Sequence, residues 1–170
     1  MGVLLTHNLI SKVLEKFRDQ FGYTWKSRLL WIFRRIVFLA RSWFFDLEYI
    51  SIPKEWLDEY MEHWRKEVLS NLKPQPELFD CDDFAMYFIF KMREYIYRKH
   101  GVRYNGNGVV LGIVYRNGKP LGGHAWVLAL VDTESEIGKV VFIEPQIGEY
   151  LDENMMTSDG LRYEIQAVIV

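Results

Sequence analysis

Three side chains in the second half of the sequence are of the types needed for nucleophilic attack on a carbonyl group: the thiol of Cys81, the imidazole of His124 and the carboxylate of Glu144. A thiol attacks an amide when its pKa is lowered, a base lies within hydrogen-bonding reach, and N–H donors stabilise the oxyanion. Apolar spacing predicts a helix that begins at Cys81, where the helix dipole favours a thiolate. Cys81 is therefore the candidate nucleophile.

The histidine and the glutamate lie on two consecutive predicted strands. Gly122 and Gly123 precede His124, and they let a ligand approach the backbone closely. If the two strands are antiparallel neighbours, His124 pairs near Gln146 and lies diagonally from Glu144 on the same face. We expect Glu144, or Gln146 in a shifted register, to orient the imidazole so that His124 acts as the base.

Three carboxylates surround the cysteine and disfavour a thiolate. Asp80 and Asp83 fit a helix cap and its reciprocal partner, and capping is a simpler role for them than catalysis or metal binding. With Asp82 they form an acidic cluster, but no EF-hand spacing of oxygen ligands is present, so no metal site is predicted. Gln75, in the preceding loop, is a candidate oxyanion donor, and a solvated loop residue is the alternative.

Short motifs surround each of the three chemical groups. The segments C-D-D-F-A at Cys81, H-A-W-V at His124 and F-I-E-P at Glu144 resemble the C-x-D-[YF]-A, H-A-W-V and closing D-P motifs of the papain-like and transglutaminase-like cysteine enzymes. The resemblance implies a papain-like or transglutaminase-like α+β core, in which a central helix packs on an antiparallel sheet, and catalytic roles for these three residues. It covers residues 78–146.

One departure from the superfamily pattern is informative. Glu144 stands where the superfamily usually has aspartate, and the Cys/His/Glu set is similar to the protease domain of certain fungal agglutinins, which is calcium-dependent. The resemblance thus raises calcium as a cofactor, but its ligands cannot be matched residue by residue, and the residues themselves imply no cofactor.

These observations favour a thiol-dependent amide or peptide hydrolase that acts through an acyl-enzyme on Cys81, with a peptide or protein as substrate. A transglutaminase-type acyl transferase would use the same chemistry. The competing interpretation is a non-catalytic binding or structural module on the same fold, in which Cys81 is a core residue, His124 ends a strand and Glu144 is a surface carboxylate.

The first half of the chain consists of predicted helices. Apolar residues at helical spacing predict them over residues 8–21, 25–45 and 53–72. Ser51 is the candidate cap of the third helix. We expect a helical extension or subdomain over residues 1–72 and an α+β core over residues 73–170, packed together as one compact unit.

The second half predicts one helix followed by strands. The helix covers residues 81–99 and is ended by Gly101. The predicted strands cover residues 109–115, 125–131, 140–144 and 163–170. Asn117-Gly118 is a strong signal for a hairpin turn between the first two strands.

Composition limits the classes of function. The chain has 170 residues, 49% of them hydrophobic, and a formal net charge of -2, which provides no overall basic field for nucleic acid. The single cysteine excludes an internal disulfide, and the absence of a signal-peptide pattern makes a cytoplasmic location the expectation. Arginines interrupt the apolar run of residues 25–45, so no transmembrane span is predicted there. That helix could instead lie on a membrane surface, with packing on the core as the alternative.

Overall fold

The computed structural model describes residues 1–19, 27–72 and 80–170. The helices in these ranges are α1 (Thr6–Asp19), α2 (Ser27–Arg41), α3 (Lys54–His63), which continues as a π-helical segment (Trp64–Leu69), and α4 (Cys81–His100). The strands are β1 (Val3–Leu5), β2 (Glu48–Ile50), β3 (Ile52–Pro53), β4 (Asn107–Arg116), β5 (Lys119–Asp132), β6 (Lys139–Glu144), β7 (Glu149–Tyr150) and β8 (Leu161–Ile169).

The main sheet has the strand order β7-β6-β5-β4-β8, and each neighbouring pair in this order is antiparallel. β3 adds a short parallel pair at the end of β5, where Ile52 lies beside Val131. The turn between β4 and β5 is formed by Asn117 and Gly118, with φ angles of 53° and 76°. Two consecutive positive φ angles are what a two-residue hairpin turn of this kind requires, so the predicted hairpin is confirmed.

The central strand β5 is buried on both faces because helices cover the sheet from both sides. Trp126, Leu128 and Leu130 join the core that contains α1 and α2, whereas Val127 joins the core that contains α3 and α4. Burial on both faces explains why this strand is a nearly continuous apolar run in the sequence. His124 lies at the start of this apolar run, so the packing of β5 in the two cores fixes its position.

The first half of the chain is not a purely helical extension, and that part of the prediction is wrong. β1 and β2 form a separate antiparallel pair, and β3 joins the main sheet. Ser51 does not cap α3; it is buried, and its hydroxyl donates a hydrogen bond to the carboxylate of Asp132. Strands of two or three residues are too short to show a hydrophobic period, which is why the sequence did not reveal them.

A helix ends where the backbone forms other hydrogen bonds in place of helical ones. α2 ends at Arg41, four residues before its predicted end, because the backbone N–H of Trp43 donates to the carbonyl of Val168 at 2.7 Å and so pairs with β8. α4 agrees closely with the predicted helix. It ends at Gly101, whose φ of 70° is the left-handed conformation that favours glycine at this position.

Candidate functional site

Cys81 is the first residue of α4, and it lines a cavity of about 510 Å³ between this helix and the sheet. His124, in β5, lines the same cavity. Other polar groups in its wall come from Arg41, Asp82 and Gln166. The fold therefore brings the thiol and the imidazole to one cavity, although they belong to different elements.

The surroundings of Cys81 favour the neutral thiol. Burial raises the pKa of Cys81, and the negative charges of Asp80 and Asp82 raise it further. The backbone N–H of Ala125 faces the sulfur and lowers the pKa, but it does not offset the other effects. Within the described part of the chain, the hydrogen bond of the His124 ring goes to Glu144 and not to the sulfur. A lowered thiol pKa, which is one condition for an activated nucleophile, is therefore not met in this structure.

His124 and Glu144 form a fixed pair. The Nε2 atom of His124 lies 2.7 Å from Oε2 of Glu144, and the backbone N–H of Gln146 donates to Oε1 of Glu144 at 3.0 Å. Glu144 is only 2% exposed, and a hydrogen bond also links it to the hydroxyl of Tyr163. Burial, together with the charge of Glu144, raises the pKa of Tyr163, so this phenol stays protonated. The carboxylate is thus held by three partners, and it holds the imidazole in one orientation.

A second cavity, of about 270 Å³, lies beside the first and shares Gly123 and His124 with it. The polar side chains in its wall are those of His124, Glu144, Gln146, Asp159 and Tyr163. Leu121 and Ile147 line this cavity, and both are exposed. We call the two cavities together the His124 groove. It offers polar groups and apolar surface side by side.

Aromatic rings lie around the imidazole. The His124 ring is 5.8 Å from the Tyr163 ring and 6.4 Å from that of Trp126, and Tyr163 and Trp126 meet edge to face at 5.2 Å. Both aromatic side chains are buried. Such rigid packing allows little movement of the imidazole, so the groove is largely formed in the absence of a ligand.

The structure also places groups in the groove that sequence reasoning did not single out, namely Arg41, Tyr163, Asp159 and Gln166. Arg41 is the last residue of α2 and Gln166 lies in β8, and no local sequence pattern distinguishes them from the other polar residues of these elements. Of the other predicted site residues, Gln146 contributes its backbone N–H to Glu144. Gln75 lies outside the described residues.

Among residues 1–19, 27–72 and 80–170, one group of side chains could hold a metal ion, namely Asp80, Cys81 and Asp82. One ligand atom from each of them lies within 4.8 Å of the others. Calcium takes six to eight oxygen ligands, and two carboxylates and a thiol supply only part of such a shell. The hydrogen bond between Asp80 and Asp82 raises the pKa of Asp82, which is the behaviour of two carboxyl groups placed against each other. The groups in this cluster therefore do not by themselves fit calcium, and no step of the function proposed below depends on it.

Comparison with known proteins gives a family and a fold. The model of the family described as "Agglutinin C-terminal" matches residues 49–150. The solved structure of a PSL1a–E64 complex is 18% identical with a TM-score of 0.60, and the match covers 99% of this chain and 51% of that one. A Polyporus squamosus lectin bound to the epitope Neu5Aca2-6Galb1-4GlcNAc is 23% identical with a TM-score of 0.53, over 76% of this chain and 42% of that one. A search of the curated proteins found no match.

These findings correct the predicted fold class. The chain shares its fold with solved lectin structures, so the assignment to a papain-like or transglutaminase-like cysteine enzyme is wrong. The physical reason is that three short motifs report only on the surroundings of three residues. The described residues instead form a sheet covered on both faces, with a parallel strand pair that the predicted antiparallel sheet lacked.

The predicted function is corrected with the fold. An agglutinin family and a lectin fold take the place of the thiol hydrolase and the acyl transferase, and they give no support to a peptide substrate. The raised pKa of the Cys81 thiol adds no support for the thiol hydrolase. The binding module, which was the competing interpretation, is the one that the findings favour.

The family assignment rests on more than half of the chain. Residues 49–150 contain β3, α3, α4 and the strands β4 to β7, which together carry Cys81, His124 and Glu144. The solved chains that it matches are about twice as long as this one, since it spans 51% and 42% of their lengths. The chain belongs to the Agglutinin C-terminal family.

Proposed function

We propose that this protein is a non-catalytic binding module that recognises a carbohydrate in the His124 groove. The observation that carries the proposal is the fixed His124–Glu144 pair, with Nε2 and Oε2 2.7 Å apart, at the junction of two cavities of about 510 and 270 Å³. A half-buried histidine held by a buried glutamate presents its polar atoms in one arrangement, and such pre-organisation reduces the entropy lost on binding.

The chemistry of the groove suits a sugar. Carbohydrates present many hydroxyl groups and, between them, apolar C–H faces. The amide side chains of Gln146 and Gln166 offer both donors and acceptors, one in each cavity, and Asp159 adds an acceptor. Leu121 and Ile147 provide the exposed apolar surface on which a C–H face can pack. Convergent polar groups beside apolar surface are the usual composition of a small-ligand site.

The similar proteins support the same class of ligand. The Polyporus squamosus lectin structure contains a bound glycan epitope, and the family is that of an agglutinin. The match covers 42% of that lectin chain, so the ligand is carried to this protein as a proposal and not as an observation.

The experiment is a screen of immobilised glycans followed by calorimetric titration of the best ligand. We expect Gln146→Ala and Gln166→Ala each to weaken binding by about five- to tenfold, because each removes roughly one hydrogen bond worth about 1 kcal/mol. Asn154→Ala is the matched control, since Asn154 is an exposed amide outside the groove. Equal affinity in all three variants would show that the ligand binds elsewhere.

A further inference from the structure

Large apolar side chains are unusually exposed in one part of the first half of the chain. Ile32, Ile36, Trp43, Phe45 and Leu47 are between 55% and 86% exposed. Scattered single exposures are ordinary, but five within sixteen residues form a feature that needs an explanation. We call them the 32–47 apolar surface.

The members of this surface share a regular spacing. Ile32, Ile36 and Ala40 are four residues apart in α2 and all exposed, so they form one line along the helix. After the helix, exposed Trp43 and Phe45 flank the half-buried Phe44, and Leu47 follows as a third exposed apolar residue. The Trp43 and Phe45 rings lie 6.0 Å apart.

The backbone holds these side chains outward. The N–H of Trp43 donates to Val168 at 2.7 Å, the N–H of Phe45 donates to Val170 at 3.0 Å, and the N–H of Val170 donates to Trp43 at 2.9 Å. The segment therefore continues the edge of the main sheet beyond β8. Its exposed rings therefore belong to a segment whose backbone is hydrogen-bonded to the end of the main sheet.

The charge of α2 indicates what covers this surface. The helix contains Arg34, Arg35 and Arg41 and no aspartate or glutamate, and Arg35 is exposed beside Ile36. A basic helix with exposed tryptophan and phenylalanine nearby is the composition of a segment that lies in a membrane interface. Two exposed carboxylates lie at the end of this surface, Asp46 between Phe45 and Leu47 and Glu48 after them, and Asp46 accepts a hydrogen bond from the side chain of Asn105.

Helix α4 also carries exposed apolar side chains, and they can be compared with the 32–47 apolar surface. Met86 and Phe90 in α4 are 61% and 62% exposed, which is close to the 60% exposure of both Ile36 and Trp43. That helix, however, carries Asp82, Asp83 and Glu94 as well as basic residues. The apolar side chains are therefore similarly exposed in the two helices. Of the two, only α2 has charged residues that are all basic.

We propose that the 32–47 apolar surface docks on an anionic lipid bilayer. Trp43, Phe45 and Leu47 enter the interface, and Arg35 contacts the lipid phosphates and carboxylates. The protein lies on the membrane and does not cross it, in keeping with the finding that no helix of the described residues is long and apolar enough to span a bilayer. Docking of this kind gains from buried apolar area and from the attraction between basic residues near the surface and anionic lipids.

The test is co-sedimentation of the full chain with vesicles of phosphatidylcholine alone and with vesicles of equal parts phosphatidylcholine and phosphatidylserine. We expect binding to the second and little to the first, with a loss of binding at high ionic strength. The double variant Trp43→Ser/Phe45→Ser should reduce the partition coefficient about tenfold or more, and Arg35→Gln about fivefold.

The matched control is Met86→Ser/Phe90→Ser. It removes from α4 two apolar side chains of similar exposure, and it should leave vesicle binding unchanged. Circular dichroism of each variant shows whether it is folded. Equal losses in the two double variants, or the absence of binding to anionic vesicles, would overturn the proposal. So would concentration-dependent self-association of the wild type that Trp43→Ser/Phe45→Ser abolishes, because the surface would then be an interface between two copies of the chain.

Discussion

The Cys81 thiol illustrates how a residue's chemistry depends on its immediate neighbours. Its position at the start of α4 favours a thiolate, whereas burial and the carboxylates of Asp80 and Asp82 favour the neutral form, and the second set of effects is the larger. The pKa of Cys81 is therefore raised, and nucleophilic attack, which requires the thiolate, is disfavoured.

We expect iodoacetamide to alkylate Cys81 more slowly than glutathione at neutral and mildly acidic pH, with the rate rising only as the pH approaches the raised pKa of the thiol. Asp82→Asn removes one of the two negative charges and should accelerate the reaction. The rates are measured by intact-protein mass spectrometry across a pH series. Alkylation faster than that of glutathione at mildly acidic pH would show that the thiol is activated.

Glu144 is the residue whose replacement should disturb the groove most. Glu144→Gln keeps the shape but replaces an acceptor-only carboxylate by an amide, so its NH2 group can no longer accept the hydrogen bonds that the carboxylate accepts, and its contacts with His124, Gln146 and Tyr163 are weakened. We expect a loss of about 1–3 kcal/mol in the free energy of unfolding, measured with urea. Glu153→Gln, at an exposed carboxylate, is the control and should change the stability by less than about 0.5 kcal/mol.

At the level of single elements, the buried and exposed faces of α4 predict very different losses of stability when a phenylalanine is replaced by alanine. Phe88 is fully buried against Tyr60 and Trp64, whereas Phe90, two residues later, is 62% exposed. Phe88→Ala should lower the free energy of unfolding by about 3–5 kcal/mol, and Phe90→Ala by less than about 0.5 kcal/mol. Thermal or urea unfolding of the two variants measures this difference, and similar losses would mean that α4 packs through another face.

The connection of β3 to β5 predicts a dependence of stability on pH. Burial by itself would raise the pKa of Asp132, but hydrogen bonds from Ser51 and from the N–H of Gly138 outweigh it, and the pKa of this carboxyl is lowered. A carboxyl whose pKa is lowered on folding stabilises the protein above its unfolded pKa of about 4, and this contribution is lost as the pH falls through the folded pKa.

Asp132→Asn should therefore destabilise the protein at neutral pH and lose part of the acid dependence below about pH 4. Urea midpoints of wild type and variant across that range provide the measurement. Parallel curves for the two proteins would contradict the assigned role of Asp132.

The same elements show how far the sequence could be read. Helix α4 and the strands β4 and β5 were predictable because their apolar residues repeat over many positions and Asn117-Gly118 marks the hairpin. The extension of α2 to residue 45 was wrong because Trp43 continues the apolar spacing, and only the tertiary contact with Val168 ends the helix. Likewise, the charge state of Cys81 depends on burial, which no local pattern specifies.

In the whole molecule, two surfaces that both include residues of α2 carry the two proposed interactions. The His124 groove lies where α4 and α2 meet the strands β4, β5 and β8. The 32–47 apolar surface lies along α2 and the strand segment that follows it. A module built in this way would present a ligand site while it is docked on a membrane, and the two properties are tested by separate variants.

The central claim, that the groove binds a carbohydrate without thiol chemistry, is tested most directly by isothermal calorimetry of wild type and Cys81→Ala. The account predicts saturable heats with the glycan selected by the screen, affinities that agree within about twofold because no step involves the thiol, and no sustained heat when peptides are added. Sustained heat release that depends on Cys81, with no saturable glycan binding, would contradict the account and restore a thiol-dependent enzyme.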